Sequence, residues 1–523
     1  MRREPVERIY SPNASPPATF AVMTIPTAPQ SRDLLQDIAR RVMIARGLLP
    51  EFSPAAMAEL DLIRTAATAT DATTRDLRSL LWCSIDNDDS RDLDQLSVAE
   101  AIPEGATKLL VAIAGVAALV PQGSALDAHA RQNTTSVYTA ARIFPMLPEK
   151  LSTDLTSLNL GADRLAIVIA MVFTADGVLT SSEIFPALVC NRAQLAYNRV
   201  AAWLDGTTPE PAAISAVAGL AENIRLQSRV ARQLAARRHL RGALSLETPQ
   251  ARPVFAGALL TGLEADPTNS AKRLIEDLMI AANGVTARYL AAKNFPSIRR
   301  VVRVPKNWAR IVELAAEHRG TLPPAPDAMA LEDFLLTAKA ADPAGFPELS
   351  LSVIKLMGAG EYVFELPGGA VAGHFGLAVR DYAHSTAPNR RFPDVITQRL
   401  LNAAMAGRPS PYSNEQLAAL AQHCTRQEDA AKKVERQVEK SAAAMLLGSC
   451  IGQQFDAVVT GAADKGTWVR IAQPLIEGKL TSGPAGLRVG DRLRVQLVRT
   501  DIERGFIDFA GVGERFGAKP HAR

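Results

Sequence analysis

The sequence predicts an α+β fold in which a mixed α/β core domain lies between a small helical N-terminal region and a C-terminal all-β, OB-like barrel. From about residue 80 to 205, short β-like runs such as LLVAIAGVAALV alternate with polar, turn-rich segments, whereas 212–241, 270–293 and 395–447 have helical periodicity. After Gly448 the apolar residues alternate in steps of two between glycine-bearing turns, which predicts five short strands. Five strands within about 65 residues are typical of an OB-like barrel.

The chain is long enough for several such units. It has 523 residues, of which 47% are apolar, so it can bury a large core and should contain two or more domains. Its N-terminal arm is rich in Pro and Ser and poor in large apolar groups, which predicts mobility. Ser31 and Ser53 predict helix starts, and a third helix is expected to carry Leu77, Leu80 and Leu81. The predicted divisions are a flexible arm (1–30), a helical region (31–79), the core domain (80–447), the barrel (448–514) and a tail (515–523).

The composition excludes several classes of protein. Lysine and arginine outnumber aspartate and glutamate by 58 to 54, a net charge of +4 that is only a weak indication of a polyanionic partner. The N-terminus has no apolar segment after its first charges, and no run of about 18 apolar residues occurs, so we expect neither secretion nor membrane insertion. The four cysteines form no C-x-x-C pair, which argues against a zinc site and a disulfide framework and predicts a reduced, cytoplasmic protein.

The segment SIDNDDSRDLDQ, residues 84–95, is the most unusual feature of the chain. Between Asp86 and Asp94 it gathers five carboxylates and one arginine, and their mutual repulsion is costly unless something positive offsets it. An EF-hand loop starting at Asp86 would need glycine at its sixth position and glutamate at its twelfth, but these positions hold Arg91 and Ser97. A calcium loop of that kind is therefore excluded.

Two interpretations of the acidic segment remain. An isolated run of aspartates is most often a solvated turn, but here large apolar residues such as Trp82 and Leu93 flank it and anchor it in a core. The other interpretation is a magnesium or manganese site, because hard cations take oxygen ligands and phosphodiester cleavage uses several carboxylates at close quarters. Asp86, Asp92 and Asp94 are an even number of residues apart, so in an extended segment they would point to one side.

Several ordered segments resemble the RNB family, the ribonuclease II and ribonuclease R group of exoribonucleases. The resemblance spans roughly residues 80 to 405. The terminal barrel also matches the family in its position and in its pattern of alternating apolar residues and glycine turns. After SIDNDDSRDLDQ, the similar segments are 135–158, 192–200, 237–244, 273–283 and 374–394.

The resemblance implies a set of metal ligands in the acidic segment. Three of the four metal-binding aspartates of the family fall on Asp86, Asp92 and Asp94, and Asp94 has the place most closely tied to catalysis. The fourth position holds Gln95, whose amide oxygen can still ligate but carries no charge. We therefore expect weaker cation binding, shifted from Mg²⁺ toward Mn²⁺.

The same resemblance implies roles in RNA binding. Arg390 would contact the phosphate at the cleaved bond, as a catalytic residue, and Arg391 would assist it. Tyr138 would stack on bases at the 3′ end, Tyr197 would set the length of the final product, and Glu276 would contact the terminal nucleotide, where a bond to a 2′-hydroxyl favours RNA over DNA. Without the resemblance, the tyrosines read as core aromatics, Glu276 as a helix-surface residue and the arginines as surface or helix-capping residues.

Other basic and aromatic residues have two interpretations each. In the barrel, Trp468 with Arg470 and neighbouring arginines could bind single strands, or Trp468 could be a core residue and the arginines edge charges. The helical face of Arg225, Arg229 and Arg232, and the arginines of SIRRVVRVPK (297–306), could line a channel for phosphates or be solvated.

The chain also departs from the family pattern. AIAGV stands where the family usually has a sequence like His-Ile-Ala-Asp after the acidic segment. Only residues 1–83 precede that segment, and beyond the arm they read as helices, so we expect the paired cold-shock barrels of the long members to be missing. The RNA path would then depend on the helical region and the C-terminal barrel.

The resemblance as a whole implies a monomeric, hydrolytic 3′-to-5′ exoribonuclease that uses Mg²⁺ or Mn²⁺ and no organic cofactor. Its substrate would be single-stranded RNA and its products nucleoside 5′-monophosphates. One alternative is an RNA-binding protein that kept the fold and lost catalysis, with Gln95 as the lesion. Another is DNA-directed or endonucleolytic cleavage.

Overall fold

The structure is a computed structural model that describes residues 32–68, 73–247, 251–257, 259–265, 268–343, 345–369, 372–463 and 466–513. The predicted arm, the predicted tail and Ser31, the expected cap of the first helix, lie outside the described residues. The predicted fold class is confirmed: two N-terminal helices precede a mixed core, and a closed five-stranded barrel ends the described chain.

The elements are numbered in chain order. The strands of the described residues are β1 Arg75–Asp76, β2 Cys83–Asp86, β3 Gln95–Ala101, β4 Thr107–Ala114, β5 Val137–Tyr138, β6 Ile143–Phe144, β7 Asp163–Phe173, β8 Leu179–Cys190, β9 Ala193–Ala196, β10 Ala251–Ala256, β11 Leu259–Ala265, β12 Ser297–Val301, β13 Glu361–Glu365, β14 Gln454–Ala463, β15 Gly466–Ile471, β16 Ile476–Ser482, β17 Arg492–Asp501 and β18 Phe506–Gly511. The α-helices are α1 Arg32–Ala45, α2 Pro54–Leu62, α3 Ala125–Asn133, α4 Tyr197–Leu204, α5 Ala212–Ser215, α6 Leu220–His239, α7 Ser270–Ala292, α8 Trp308–Glu317, α9 Ala328–Ala341, α10 Phe346–Met357, α11 Phe392–Met405 and α12 Asn414–Leu447.

The two N-terminal helices begin at the residues that follow the predicted starts, Ser31 and Ser53. Ser53 caps α2, because its hydroxyl accepts a hydrogen bond from the backbone N–H of Ala56 at 3.2 Å. Gly47, at a φ of 75°, lies in the left-handed region just after α1. The buried face of α1, which includes Leu35 and Ile38, packs against α12.

The predicted third helix at Leu77, Leu80 and Leu81 is wrong. The short strand β1 pairs in parallel with β8 at this point, and a turn follows in which the N–H of Leu80 donates to the Leu77 carbonyl. The fully buried indole of Trp82 also donates to the Leu77 carbonyl, at 2.8 Å. Pairing at the sheet edge and burial of this ring therefore override the helical spacing of the leucines.

A seven-stranded sheet with the order β1-β8-β7-β4-β3-β2-β9 forms the centre of the core domain. It is antiparallel except for the pairs β1–β8 and β2–β9, which are parallel. In the β2–β9 pair, Asp86 lies beside Ala196, the residue before Tyr197. The sheet thus places the first aspartate of the acidic segment next to the start of α4.

Three hydrophobic clusters hold the described residues together. The largest lies between the sheet and the helices of the core domain and includes Trp82, Leu93 and Phe392. A second joins α1, α12 and the barrel, and a third joins α8, α9 and α10 around Trp308 and Phe346.

The barrel closes in the order β14-β15-β16-β18-β17. Along β15, Val469 and Ile471 point into the barrel and are buried, while Trp468 and Arg470 point outward and are half-buried. The described part of the chain contains no helix that combines the length and the hydrophobicity of a membrane span.

Candidate active site

The acidic segment forms a loop between two neighbouring strands. Asp86 ends β2, Gln95 begins β3, and the residues between them make no strand, so the expectation of one extended segment with three aspartates on one side is wrong. The far end of the loop is anchored, because the Ser157 hydroxyl accepts from the N–H of Leu93, and the Asp94 carbonyl accepts from the N–H of Ala114. A freely solvated turn is therefore excluded for this end.

Asp94 is the buried member of the acidic segment, with 2% of its surface exposed. Its Oδ1 accepts a hydrogen bond from the backbone N–H of Asn389 at 2.8 Å, and its Oδ2 lies 3.3 Å from the Nε of Arg390. Burial raises the pKa of Asp94 to about 8, although the guanidinium of Arg390 acts in the opposite direction. Burial, and to a smaller extent the Asp86 carboxylate, also raises the pKa of Asp92.

The two candidate arginines make different contacts. Arg390 remains 46% exposed at its side chain while it contacts Asp94. Arg391 is the N-cap residue of α11 and donates from Nη2 to Asp394 Oδ1 at 2.7 Å, and the same oxygen accepts from the N–H of Ala387 at 2.8 Å. Arg391 therefore stabilises the turn that carries Arg390.

Tyr138 lies on the two-residue strand β5, which is bound on both sides. On one side the N–H of Ser136 donates to the Arg390 carbonyl at 3.0 Å. On the other, the N–H of Tyr138 donates to Glu435 of α12 at 2.8 Å. The Tyr138 hydroxyl is 3.3 Å from Asp92 Oδ2, and 40% of the residue is exposed. The predicted stacking residue thus reaches the acidic segment.

A cavity of about 270 Å³ brings together most of the predicted site residues. They come from four separate parts of the chain, and those that line the cavity are Asp86, Gln95, Tyr197, Glu276, Arg390 and Arg391. Lys272, Asn283 and Tyr382 also line it; the last two lie in the similar segments 273–283 and 374–394, but none of the three was predicted as a site residue. Asn283 is recognisable only in the fold, where its Oδ1 accepts from both the N–H and the hydroxyl of Ser385.

Trp468 lies outside this cavity, on the outward face of β15. Its ring packs over Gly461, where a Cβ would be 3.5 Å from the ring, and Lys479 lies opposite it on β16. Arg470, two residues further on, forms an ion pair with Glu348 of α10. The barrel thus offers Trp468 and Lys479 on this face, while Arg470 contacts the core domain.

Two arginines of the basic stretch 297–306 are engaged by acids. Arg299 is buried and paired with Glu365, and Arg300 is paired with Glu428 of α12 at 2.6 Å. These pairs hold β12 in place, so the idea that both arginines line a phosphate channel is wrong.

The oxygen donors of the acidic segment fit a divalent cation. Within the described ranges, no three His, Cys, Asp or Glu side chains lie close enough to form a metal cage by themselves. Mg²⁺, however, typically takes only one or two carboxylates and completes its shell with water and substrate phosphate. Asp86 and Gln95 line one cavity, and the Asp92 carboxylate interacts with those of Asp86 and Asp94. A cation would relieve this repulsion.

Comparison with known families gives two matches. Residues 74–407 match the RNB domain, and residues 453–512 match the RNase II-type exonuclease C-terminal S1 domain. The first match alone spans more than half of the chain. The chain belongs to the RNB family. The resemblance stated from the sequence is thereby confirmed.

Curated relatives and solved structures agree with this RNB assignment. Ribonuclease R of Aquifex aeolicus (strain VF5) and that of Escherichia coli (strain K12) are each 30% identical over 83% of this chain. The chain spans 64% and 57% of their respective lengths.

Solved structures share the fold at lower identity. Mycoplasma genitalium RNase R in complex with ribose methylated single-stranded RNA matches with a TM-score of 0.82 and 22% identity, over 91% of this chain and 78% of that one. Yeast Ssd1, a pseudonuclease, matches with a TM-score of 0.68 and 15% identity, over 89% and 58%.

Proposed function

We propose that this RNB-family protein is a hydrolytic 3′-to-5′ exoribonuclease that degrades single-stranded RNA to nucleoside 5′-monophosphates with Mg²⁺ or Mn²⁺. The observation that carries the proposal is the cavity in which Asp86, Gln95, Glu276 and Arg390 meet. It combines oxygen donors for a cation, a guanidinium for phosphate and a carboxylate for a terminal sugar. The relatives named ribonuclease R support the same activity.

The proposed catalytic residues act from two sides of the scissile phosphate. Asp86, Asp92, Asp94 and Gln95 would hold the ion, which when bound supplies Lewis-acid stabilisation of the phosphate and activation of a water. Arg390 would donate from its exposed guanidinium edge to the phosphate oxygens as negative charge develops. Asp94 orients that guanidinium, so we assign both residues to catalysis.

The remaining site residues would bind the RNA. Tyr138 and Tyr197 offer aromatic faces for bases near the 3′ end, where stacking contributes about 1–3 kcal/mol per base. Glu276 is exposed on α7 at the cavity wall and would accept from a 2′-hydroxyl. Arg391 would assist Arg390 at the phosphate by stabilising the turn that carries it. Trp468 would stack on nucleotides further from the cleaved end.

A second candidate is an RNA-binding protein on the same fold without catalysis. It is favoured by Gln95, which removes one charge from the metal site, and by the shared fold with yeast Ssd1, a pseudonuclease. In that case the cavity would bind RNA independently of divalent ions.

The test is to incubate the purified protein with 5′-labelled single-stranded RNA in Mg²⁺, in Mn²⁺ and in EDTA, and to resolve the products over time. We expect metal-dependent accumulation of one short labelled product with release of mononucleotides. Bound but intact RNA in all three conditions would identify the binding protein instead. Scattered product sizes would indicate endonucleolytic cleavage, and equal degradation of a matched DNA would contradict the proposed substrate.

A further inference from the structure

The loop that follows Asp86 contains a hydroxyl that none of the proposed roles uses. The Ser90 Oγ donates to Asp86 Oδ1 at 2.9 Å, and the same oxygen accepts from the backbone N–H of Asn87 at 2.7 Å. Among the described residues, no side chain or backbone group forms a hydrogen bond with Asp86 Oδ2. One oxygen of this carboxylate is therefore tied to the protein, and the other is left for a ligand.

The surroundings of Asp86 show why a hydrogen bond from Ser90 matters for the orientation of its side chain. Asp88 and Asp89 are exposed in the same loop, and Asp88 pairs with Arg199 at 3.9 Å, so neither carboxylate can donate to Asp86. Asp86 is half-exposed, so its side chain would turn toward bulk water in the absence of local donors. Two donors at one oxygen fix the torsion of the Asp86 side chain and leave the other oxygen facing away from the loop backbone.

Ser90 is itself held in place by the neighbouring strand. Its carbonyl accepts from the side-chain amide of Gln194 on β9 at 3.3 Å, and its N–H donates to the Asn87 carbonyl at 3.2 Å. Gln194 lies two residues before Ala196, the residue paired with Asp86 in the sheet. The hydroxyl, the carboxylate and the strand that leads to Tyr197 thus form one connected unit.

We propose that Ser90 is a positioning residue that presents the free oxygen of Asp86 to the divalent cation. The inference rests on the proposed function, in which Asp86 holds that ion. Hydrogen bonds to ligating carboxylates typically change metal affinity by about 10- to 100-fold when they are removed. Ser90 does not contact the RNA path assigned above, so its effect is expected on cation affinity and not on RNA affinity.

The experiment is calorimetric titration of the RNA-free, full-length protein with Mn²⁺. The variants are Ser90→Ala, Ser90→Thr and, as a matched control, Ser215→Ala. Ser215 also donates its hydroxyl to a carboxylate at 2.9 Å, that of Glu210, but it lies on α5, which contributes no residue to the candidate site. We expect the Kd for Mn²⁺ to rise at least about tenfold in Ser90→Ala. It should stay near the wild-type value in Ser90→Thr, which keeps the hydroxyl, and in Ser215→Ala.

Two further measurements distinguish a role of Ser90 in cation binding from a folding defect and from a failure of the proposed function. Ser90→Cys is nearly isosteric but a weak donor, so it should also raise the Kd, and RNA affinity in EDTA should not change in any variant. Equal Kd values for wild type, Ser90→Ala and Ser90→Cys would overturn the role of Ser90 alone. A wild-type protein that binds no Mn²⁺ and degrades no RNA would overturn the proposed function, and the inference with it.

Discussion

The Asp94 carboxylate holds the Arg390 guanidinium at 3.3 Å, across 296 positions of sequence, while its other oxygen accepts from the N–H of the residue before Arg390. The most buried aspartate of the acidic segment and the exposed arginine are therefore one structural unit. A change at either residue displaces the other, so their effects on catalysis should not be additive.

Replacing Asp94 by asparagine should abolish catalysis and leave RNA affinity nearly unchanged. The amide keeps an acceptor for the Asn389 N–H but cannot ionise, so it loses the anionic form of Asp94, which the guanidinium of Arg390 favours and a cation would bind. We expect the degradation rate of labelled RNA to fall at least about 100-fold. The Kd for the same RNA, measured in EDTA, should stay near the wild-type value. Asp89→Asn, at an exposed position of the same loop, is the control and should retain activity. Parental rates in Asp94→Asn would show that the site is wrongly assigned.

Replacing Gln95 by aspartate should strengthen cation binding. The change adds one negative charge to a cavity that already contains Asp86, so the Kd for Mn²⁺ should fall at least about tenfold and activity in Mg²⁺ should rise relative to Mn²⁺. Gln453→Asp adds the same charge at an exposed position before β14 and should change neither. An unchanged Kd in Gln95→Asp would mean that this position does not face the ion.

Two substitutions at Tyr138 separate its ring from its hydroxyl. Tyr138→Ala removes the stacking surface and should raise the Kd for single-stranded RNA in EDTA by about 5- to 150-fold, the equivalent of about 1–3 kcal/mol. Tyr138→Phe keeps the ring and loses only the contact with Asp92, so its RNA affinity should stay close to wild type. Equal weakening in both variants would assign the binding energy to the hydroxyl.

His129 should make the stability of the protein fall in mild acid. The residue is 5% exposed, its ring lies 4.2 Å from that of Phe52, and burial lowers its pKa to about 4 from the ordinary 6.5. Between these values the unfolded chain binds a proton that the folded one does not, so stability is lost as pH falls below 6.5, by about 2 kcal/mol at pH 5. The melting temperature of His129→Gln should therefore fall less between pH 7.5 and 5 than that of wild type. His318→Gln, at an exposed position, should follow wild type.

The acidic segment and the barrel could be predicted because their information is local. Asp86 to Gln95 stand out by charge and spacing within ten residues, and the alternation around Trp468 indicates strands directly. The helix expected at Leu77 failed because the decisive contacts, the indole of Trp82 and the edge of β8, are tertiary.

The partners of charged side chains were the least predictable part. Arg299 and Arg300 look like a basic stretch, but Glu365 and Glu428, both far away in sequence, neutralise them in the fold. The N–H of Asn389 that binds Asp94 is a backbone group, which leaves no trace in residue identity. Such pairings depend on which strands and helices become neighbours, and composition does not encode this.

Helix α12 runs for 34 residues, or about 50 Å, and residues 448–453, which begin with the 3-10 turn Gly448–Cys450, separate it from β14. Glu435, in its second half, holds the backbone of Tyr138, and the helix packs against the barrel strands β17 and β18. Tyr138 and the barrel therefore both contact the same long helix. In the proposed function, the length of α12 would therefore set the distance between the RNA contacts at Tyr138 and those on the barrel.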